Sequence, residues 1–105
     1  MMGVKTQVKV GVVNDFVVDV GKVVEVQGIA LAVFRLSNGR FKAVENRCPH
    51  KEGPLAEGIV SGEFVFCPLH DWKIDLEGGQ VQAPDHGCVK TYKVAVEGDD
   101  VYILT

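Results

Sequence analysis

Short β-branched runs alternate with turn residues along this 105-residue chain, and this alternation restricts the possible folds more than any other feature. Runs of this length bounded by Gly, Asn, Asp and Ser are typical of strands joined by hairpins. No apolar segment keeps a 3.6-residue period for long. The pattern of residues 13–20 is ambiguous, and a helix is least excluded there. The predicted strands cover residues 6–10, 22–26, 29–34, 41–44, 59–60, 63–66, 72–75, 80–81, 91–96 and 100–104. This spacing predicts an all-β protein built as an antiparallel sandwich or barrel.

One turn has a stronger signal than the others. Asn38-Gly39 lies between two of the predicted strands, and this dipeptide favours a two-residue type I′ turn because both central residues then need φ > 0. We therefore expect a tight hairpin at this point.

Length and charge exclude several classes of protein. The chain is long enough for one domain and too short for two, so residues 1–105 are expected to form a single domain. Its 11 basic and 14 acidic residues are scattered and give a net charge of -3, without a basic run for nucleic acid. The first residues lack the apolar segment of a signal peptide, and no run approaches the roughly 18 apolar residues of a membrane span. We expect a cytoplasmic protein that binds neither nucleic acid nor membranes.

Two Cys/His pairs are the clearest chemical motifs in the chain. Cys48-Pro49-His50 and Cys67-Pro68-Leu69-His70 each follow a predicted strand, and 16 residues separate His50 from Cys67. Two loops that leave strand ends at one sheet edge can face each other, so two thiolates and two imidazoles are expected to meet. An odd count of three cysteines without an export signal argues against a disulfide framework. The pairs therefore predict a metal centre.

Two metal centres are compatible with these four ligands. A tetrahedral zinc site accepts two Cys and two His, but such sites mostly pair Cys with Cys and His with His in the sequence. In a Rieske [2Fe–2S] cluster two Cys hold one iron and two His hold the other, so each loop supplies one ligand to each iron. We predict the cluster, with Cys48, His50, Cys67 and His70 as its ligands, and zinc remains the alternative.

The segments around these motifs resemble a known family. Residues 46–75, with the Cys-Pro-His and Cys-Pro-Leu-His motifs, are similar to Rieske ferredoxin domains. Residues 58–62, 67–75, 81–84 and 87–92 further resemble the small subunits of assimilatory NAD(P)H-dependent nitrite reductases. The resemblance implies a Rieske fold, in which a small subdomain of two cluster-binding loops lies on an antiparallel base.

The resemblance also implies a role and a partner. The large subunit of such a reductase carries FAD, a [4Fe–4S] cluster and sirohaem, and it reduces nitrite to ammonium. The small subunit would then transfer electrons or support the complex, with no turnover and no catalytic residue of its own. Two alternatives remain, namely a free Rieske ferredoxin that serves a ring-hydroxylating oxygenase and a zinc-bound or apo assembly module.

The loops lack features of the quinol-oxidising Rieske proteins. Gly53 and Leu69 occupy the positions where that branch has an additional disulfide, and Trp72 and Ile74 replace its hydroxyl donors. With fewer donors to the sulfides, the reduced cluster is less stabilised. We expect a reduction potential of roughly -150 mV rather than +300 mV.

The remaining candidate residues have simpler roles. Cys88 is expected to be a small buried residue, since free cysteines usually are. His86 is expected to be a solvated turn residue, and Trp72 is expected to pack beneath the second Cys/His loop and shield the site from water.

Overall fold

The computed structural model describes residues 7–47, 54–68, 72–82 and 87–104. These ranges are almost entirely strands and turns, with two short 3₁₀ turns at Val13–Asp15 and Leu55–Glu57. The strands are β1 (Gln7–Val12), β2 (Gly21–Val26), β3 (Ile29–Arg35), β4 (Phe41–Glu45), β5 (Ile59–Ser61), β6 (Phe64–Phe66), β7 (Lys73–Asp75), β8 (Thr91–Glu97) and β9 (Asp100–Leu104). The all-β prediction is confirmed.

The strands form two antiparallel sheets of different size. The larger has the order β1-β9-β8-β4-β3-β2, and the smaller has the order β5-β6-β7. The outer strands of the larger sheet, β1 and β2, both contribute valine side chains to one core, so this sheet is curved into a partly closed barrel. A barrel base with a separate small sheet is the architecture that the resemblance implies.

The hairpin turns differ from the sequence prediction in one place. At Gln27-Gly28 both central residues have positive φ, 52° and 82°, so the two-residue type I′ turn lies between β2 and β3. The type I′ prediction for Asn38-Gly39 is wrong, because only Gly39 has positive φ. Its N–H bonds to the carbonyl of Leu36, and the Leu36 N–H bonds to Arg40, which gives a three-residue loop. This loop is the common variant in which a left-handed residue follows a type I turn.

The ambiguous segment 13–20 does not form an α-helix. It makes a single 3₁₀ turn at Val13–Asp15, and Phe16 then inserts into the barrel core with 1% of its surface exposed. The Arg35 guanidinium donates to the carbonyl oxygens of Val13 and Phe16 at 3.3 and 3.2 Å, which holds the segment against β3. Within the described ranges, no helix is long and apolar enough to cross a membrane.

Two apolar clusters stabilise the fold. One lies inside the barrel and includes Leu31, Val33, Val101 and Ile103. The other joins the two sheets. Its members come from the barrel strands, the 3₁₀ turn at Leu55–Glu57, the small sheet and the chain that follows it: Ala32, Phe34, Leu36, Val44, Leu55, Ala56, Val65, Cys67, Ile74, Leu76, Val81 and Val89. The second cluster positions the small sheet, and with it the loops that carry the Cys/His pairs.

Candidate metal centre

The two Cys/His pairs belong to loops whose ends are well defined. The first loop leaves β4 after Glu45 and returns at Pro54, and the second joins β6 to β7. Cys67 begins the second loop and is described. Cys48, His50 and His70 lie outside the described residues, so the four-ligand prediction stays a prediction.

Both loops reach the same end of the small sheet. In the antiparallel register Ile59 pairs with Phe66, and Phe66 pairs with Lys73. The returning end of the first loop therefore enters β5 directly beside the point where the second loop leaves β6. At this point Gly58 packs so closely that a methyl group on its Cα would overlap the carbonyl oxygen of Phe66.

The way in which the ends of the two loops are brought together differs from the prediction. The sequence suggested two strand ends at one sheet edge, but β4 belongs to the larger sheet and β6 to the smaller one. The returning end of the first loop lies beside the start of the second because the sheets pack through a shared core, and because the 3₁₀ turn at Leu55–Glu57 carries the chain across to β5.

A side chain joins the two ends of the first loop, the place where the loop leaves and re-enters the fold, which we call its neck. The Asn46 side-chain Oδ1 accepts a hydrogen bond from the Ala56 N–H at 2.8 Å, and the Asn46 N–H donates to the carbonyl of Ala30 at 3.0 Å. Ala56 in turn lies against β2, where a methyl group on Gly21 would overlap the Ala56 carbonyl oxygen. Sequence reasoning missed these contacts of Asn46 and Ala56. The available signal was an Asn directly after a strand, a residue type that bonds nearby backbone in turns.

The neck of the second loop is closed by the main chain. The Cys67 N–H donates to the carbonyl of Trp72 at 2.8 Å. The Cys67 side chain is fully buried and forms no disulfide, and Trp72 packs, partly buried, against the same core. Trp72 therefore packs against the core, as expected, and its shielding of the site stays a prediction.

The surroundings of Cys67 are compatible with a metal-bound thiolate. Its neighbours in the core are apolar, and the described part of the chain contains no buried charged side chain that would compensate a net charge. Two ferric ions, two sulfides, two thiolates and two neutral imidazoles sum to zero, so an oxidised Rieske cluster suits such a site. A zinc ion with the same four protein ligands is also neutral, so charge alone does not separate the two.

Cys88 lies outside this centre, and the prediction that it is buried is wrong. Its side chain is exposed, whereas the next residue, Val89, is 7% exposed. The chain is extended here and pairs with Gln80, so successive side chains alternate between the core and solvent, and Val89 takes the core position. His86 lies outside the described residues.

Comparison with known proteins identifies the type of centre. A profile of the Rieske [2Fe-2S] domain family matches residues 6–93. The chain is 35% identical over 81 residues to the ferredoxin component of the naphthalene 1,2-dioxygenase system of Pseudomonas aeruginosa, covering 76% of this chain and 77% of that protein. It is 38% identical over 68 residues to the ferredoxin component of the alkene monooxygenase system of Xanthobacter autotrophicus, covering 64% of this chain and 56% of the other. The chain spans only 13% and 18% of two monooxygenase chains that it also matches.

A solved structure extends the comparison over nearly the whole fold. It is described as a candidate small subunit of a nitrite reductase (NADPH), and it superposes with a TM-score of 0.85 at 28% identity. The match covers 95% of this chain and 99% of the other chain. The Rieske fold that the resemblance implies is confirmed.

Proposed function

The chain belongs to the Rieske [2Fe–2S] domain family and is an electron-transfer domain of this type, and from that premise we propose how it works. Family membership implies a [2Fe–2S] cluster as the cofactor. We propose Cys48 and Cys67 as the thiolate ligands and His50 and His70 as the imidazole ligands, because each of the two adjoining loops carries one of each. The observation that carries this proposal is the register of the small sheet, which places the returning end of the first loop beside Cys67.

The cofactor supplies one-electron redox chemistry when it is bound. The residues of this chain hold the loops in place and exclude water from one side of the site. The buried core beneath Cys67, with Leu55, Val65 and Ile74 each fully buried, provides a rigid apolar base. Such a base limits the movement of Cys67 during a change of charge, which favours fast electron transfer.

The finer role that we propose is the small subunit of an assimilatory NAD(P)H-dependent nitrite reductase. The resemblance of residues 71–75 to that family supports it, and so does the end-to-end superposition on the candidate nitrite reductase small subunit. In this role the chain exchanges electrons with a large subunit that carries FAD, a [4Fe–4S] cluster and sirohaem, and nitrite reduction takes place on that subunit.

A second role is favoured by a specific observation. Two ferredoxin components of oxygenase systems are more similar in sequence, at 38% and 35% identity, and one of them is covered over 77% of its length. The chain would then deliver electrons to a terminal oxygenase.

One experiment separates the two roles. The chain, reconstituted anaerobically with iron and sulfide, is reduced and mixed in a stopped-flow instrument with the oxidised large subunit of an NAD(P)H nitrite reductase. In parallel it is mixed with the oxidised oxygenase component of a naphthalene dioxygenase. Rapid reoxidation by the reductase subunit and slow reoxidation by the oxygenase are expected. The reverse order would replace the first role by the second, and a colourless protein with one zinc ion per chain would contradict both.

A further inference from the structure

Asn46 occupies the junction between the barrel and the first Cys/His loop. It follows the last residue of β4 and stands two positions before Cys48. Its N–H donates to the carbonyl of Ala30 in the barrel, and its side-chain Oδ1 accepts from the N–H of Ala56 at 2.8 Å. Among residues that the structure describes, no other hydrogen bond joins the two ends of this loop.

The Ala56 N–H depends on this acceptor. Ala56 is only 7% exposed, and its main chain packs against Gly21 with no room for an additional side chain. A buried N–H without a partner loses the free energy of its hydration, so the Asn46 carbonyl stabilises the position of this turn. The turn leads through Gly58 to β5, and Gly58 lies against the last residue of β6. A shift of Ala56 would therefore move the returning end of the first loop relative to Cys67.

The two loops differ in how they are closed. The second loop is closed by a main-chain hydrogen bond between Cys67 and Trp72, which no side-chain substitution removes directly. Among the residues of the first loop that the structure describes, one amide side chain joins the two ends. The relative position of the two loops is therefore sensitive to the residue at position 46.

We propose that Asn46 is a positioning residue of the metal centre: its side-chain carbonyl fixes the first loop, with Cys48 and His50, against the second loop, with Cys67. This inference rests on the proposed ligand set. An aspartate would accept the same hydrogen bond but would add a negative charge near the cluster. The neutral amide provides the acceptor without that charge.

Three variants test the proposal. Asn46→Ala removes the acceptor, Asn46→Asp keeps it, and Asn38→Ala is the matched control. Asn38 is an exposed turn residue whose side chain bonds Arg40 and Glu63, and Glu63 lies at the end of the small sheet opposite the two Cys/His loops. Each variant is reconstituted anaerobically with iron and sulfide. Cluster loss to the iron chelator bathophenanthroline, the EPR spectrum of the reduced protein and its midpoint potential are then recorded.

The expected results separate positioning from general stability. Asn46→Ala should lose the cluster about tenfold faster than the unmodified chain, as expected for one unpaired buried N–H. Its EPR signal should broaden because the loop takes several positions. Asn46→Asp should restore retention to within about twofold and keep a narrow signal, with a lower midpoint potential from the added charge. Asn38→Ala should match the unmodified chain in all three readouts.

Two outcomes would overturn the proposal. The first is an Asn46→Ala variant with the retention and EPR signal of Asn38→Ala, and the second is an Asn46→Asp variant as defective as Asn46→Ala. If Asn46→Ala does not fold, the comparison of Asn46→Asp with the unmodified chain still tests whether a hydrogen-bond acceptor at position 46 is enough to retain the cluster.

A further readout does not depend on the cluster. Hydrogen exchange of the Ala56 amide is measured by NMR in the apo proteins, where Asn46→Ala should reduce protection about tenfold. Unchanged protection would refute the role of Asn46. An unmodified chain that binds no [2Fe–2S] cluster would refute the proposed function instead.

Discussion

Gly58 offers a direct test of how the two loops are held together. Its backbone has φ -77° and ψ 169°, which alanine also adopts without strain. The difficulty is one of space, because the new methyl group would overlap the Phe66 carbonyl oxygen and lie 2.9 Å from the Val65 side chain. Gly58→Ala therefore tests the close approach of the first loop to β6 and little else.

The expected change in the free energy of unfolding of Gly58→Ala results from two opposing effects. Forcing a methyl group into a packed site costs about 1–3 kcal/mol, and the upper half of that range applies because β6 is the central strand of its sheet. Replacing Gly by Ala also reduces the entropy of the unfolded chain, which stabilises by about 0.4–1 kcal/mol. We expect a net loss of about 2 kcal/mol, which lowers the Tm of a domain of this size by about 8–16 °C.

Gly78 provides the matched control. It lies in an exposed turn, its φ is not in the left-handed region, and the nearest atom to an added methyl group is an Asp75 carboxylate oxygen at 3.8 Å. Gly78→Ala should therefore be neutral or raise the Tm by a few degrees. Both variants are melted by circular dichroism in the cluster-loaded and apo forms. Equal or greater stability of Gly58→Ala in the apo form would refute the close approach.

Three further predictions follow from the packing and the charges. Leu55→Ala should destabilise by about 2–5 kcal/mol in urea unfolding, because Leu55 is fully buried in the core that joins the two sheets, whereas Ile59→Ala, at a 71% exposed position, should change stability by about 0.5 kcal/mol or less. The Lys42 ammonium holds the pKa of the Glu77 carboxyl below its usual 4.5. This interaction stabilises the fold above that pH and is lost as the pH falls through the lowered pKa, so Glu77→Gln should flatten the acid dependence of unfolding below about pH 5, with a small effect that added salt reduces. Cys88 should react rapidly with a thiol reagent in the native protein, and Cys88→Ser should keep the full iron and sulfide content; loss of the cluster in this variant would contradict the four-ligand assignment.

The strands were predictable because their signals are local. Each predicted strand other than residues 80–81 matches an observed one within two residues at its ends, since β-branched runs and turn residues act over a few positions. Residues 80–81 form only isolated bridges, to Cys88 and Ile74. The assignment of β4 and β6 to different sheets depends on contacts distant in sequence, which no local pattern encodes.

The same distinction, between local signals and contacts distant in sequence, applies to the metal centre. The Cys/His spacing predicted the cofactor because a ligand set is a local chemical property. The hydrogen bond from Ala56 to Asn46 and the close approach at Gly58 were missed because they join segments through the folded core. The prediction for Cys88 was wrong because the usual burial of free cysteine does not show which side chains of an extended segment face the core, and here Val89 does.

The central claim is a [2Fe–2S] cluster held by two thiolates and two imidazoles, and pulsed EPR of the reduced, reconstituted protein tests it most directly. The account predicts about two iron ions and two sulfides per chain, and hyperfine coupling from two histidine nitrogens, one of which disappears in each of the single variants His50→Cys and His70→Cys. Absence of nitrogen coupling in the unmodified protein, or coupling that persists unchanged in both variants, would contradict it.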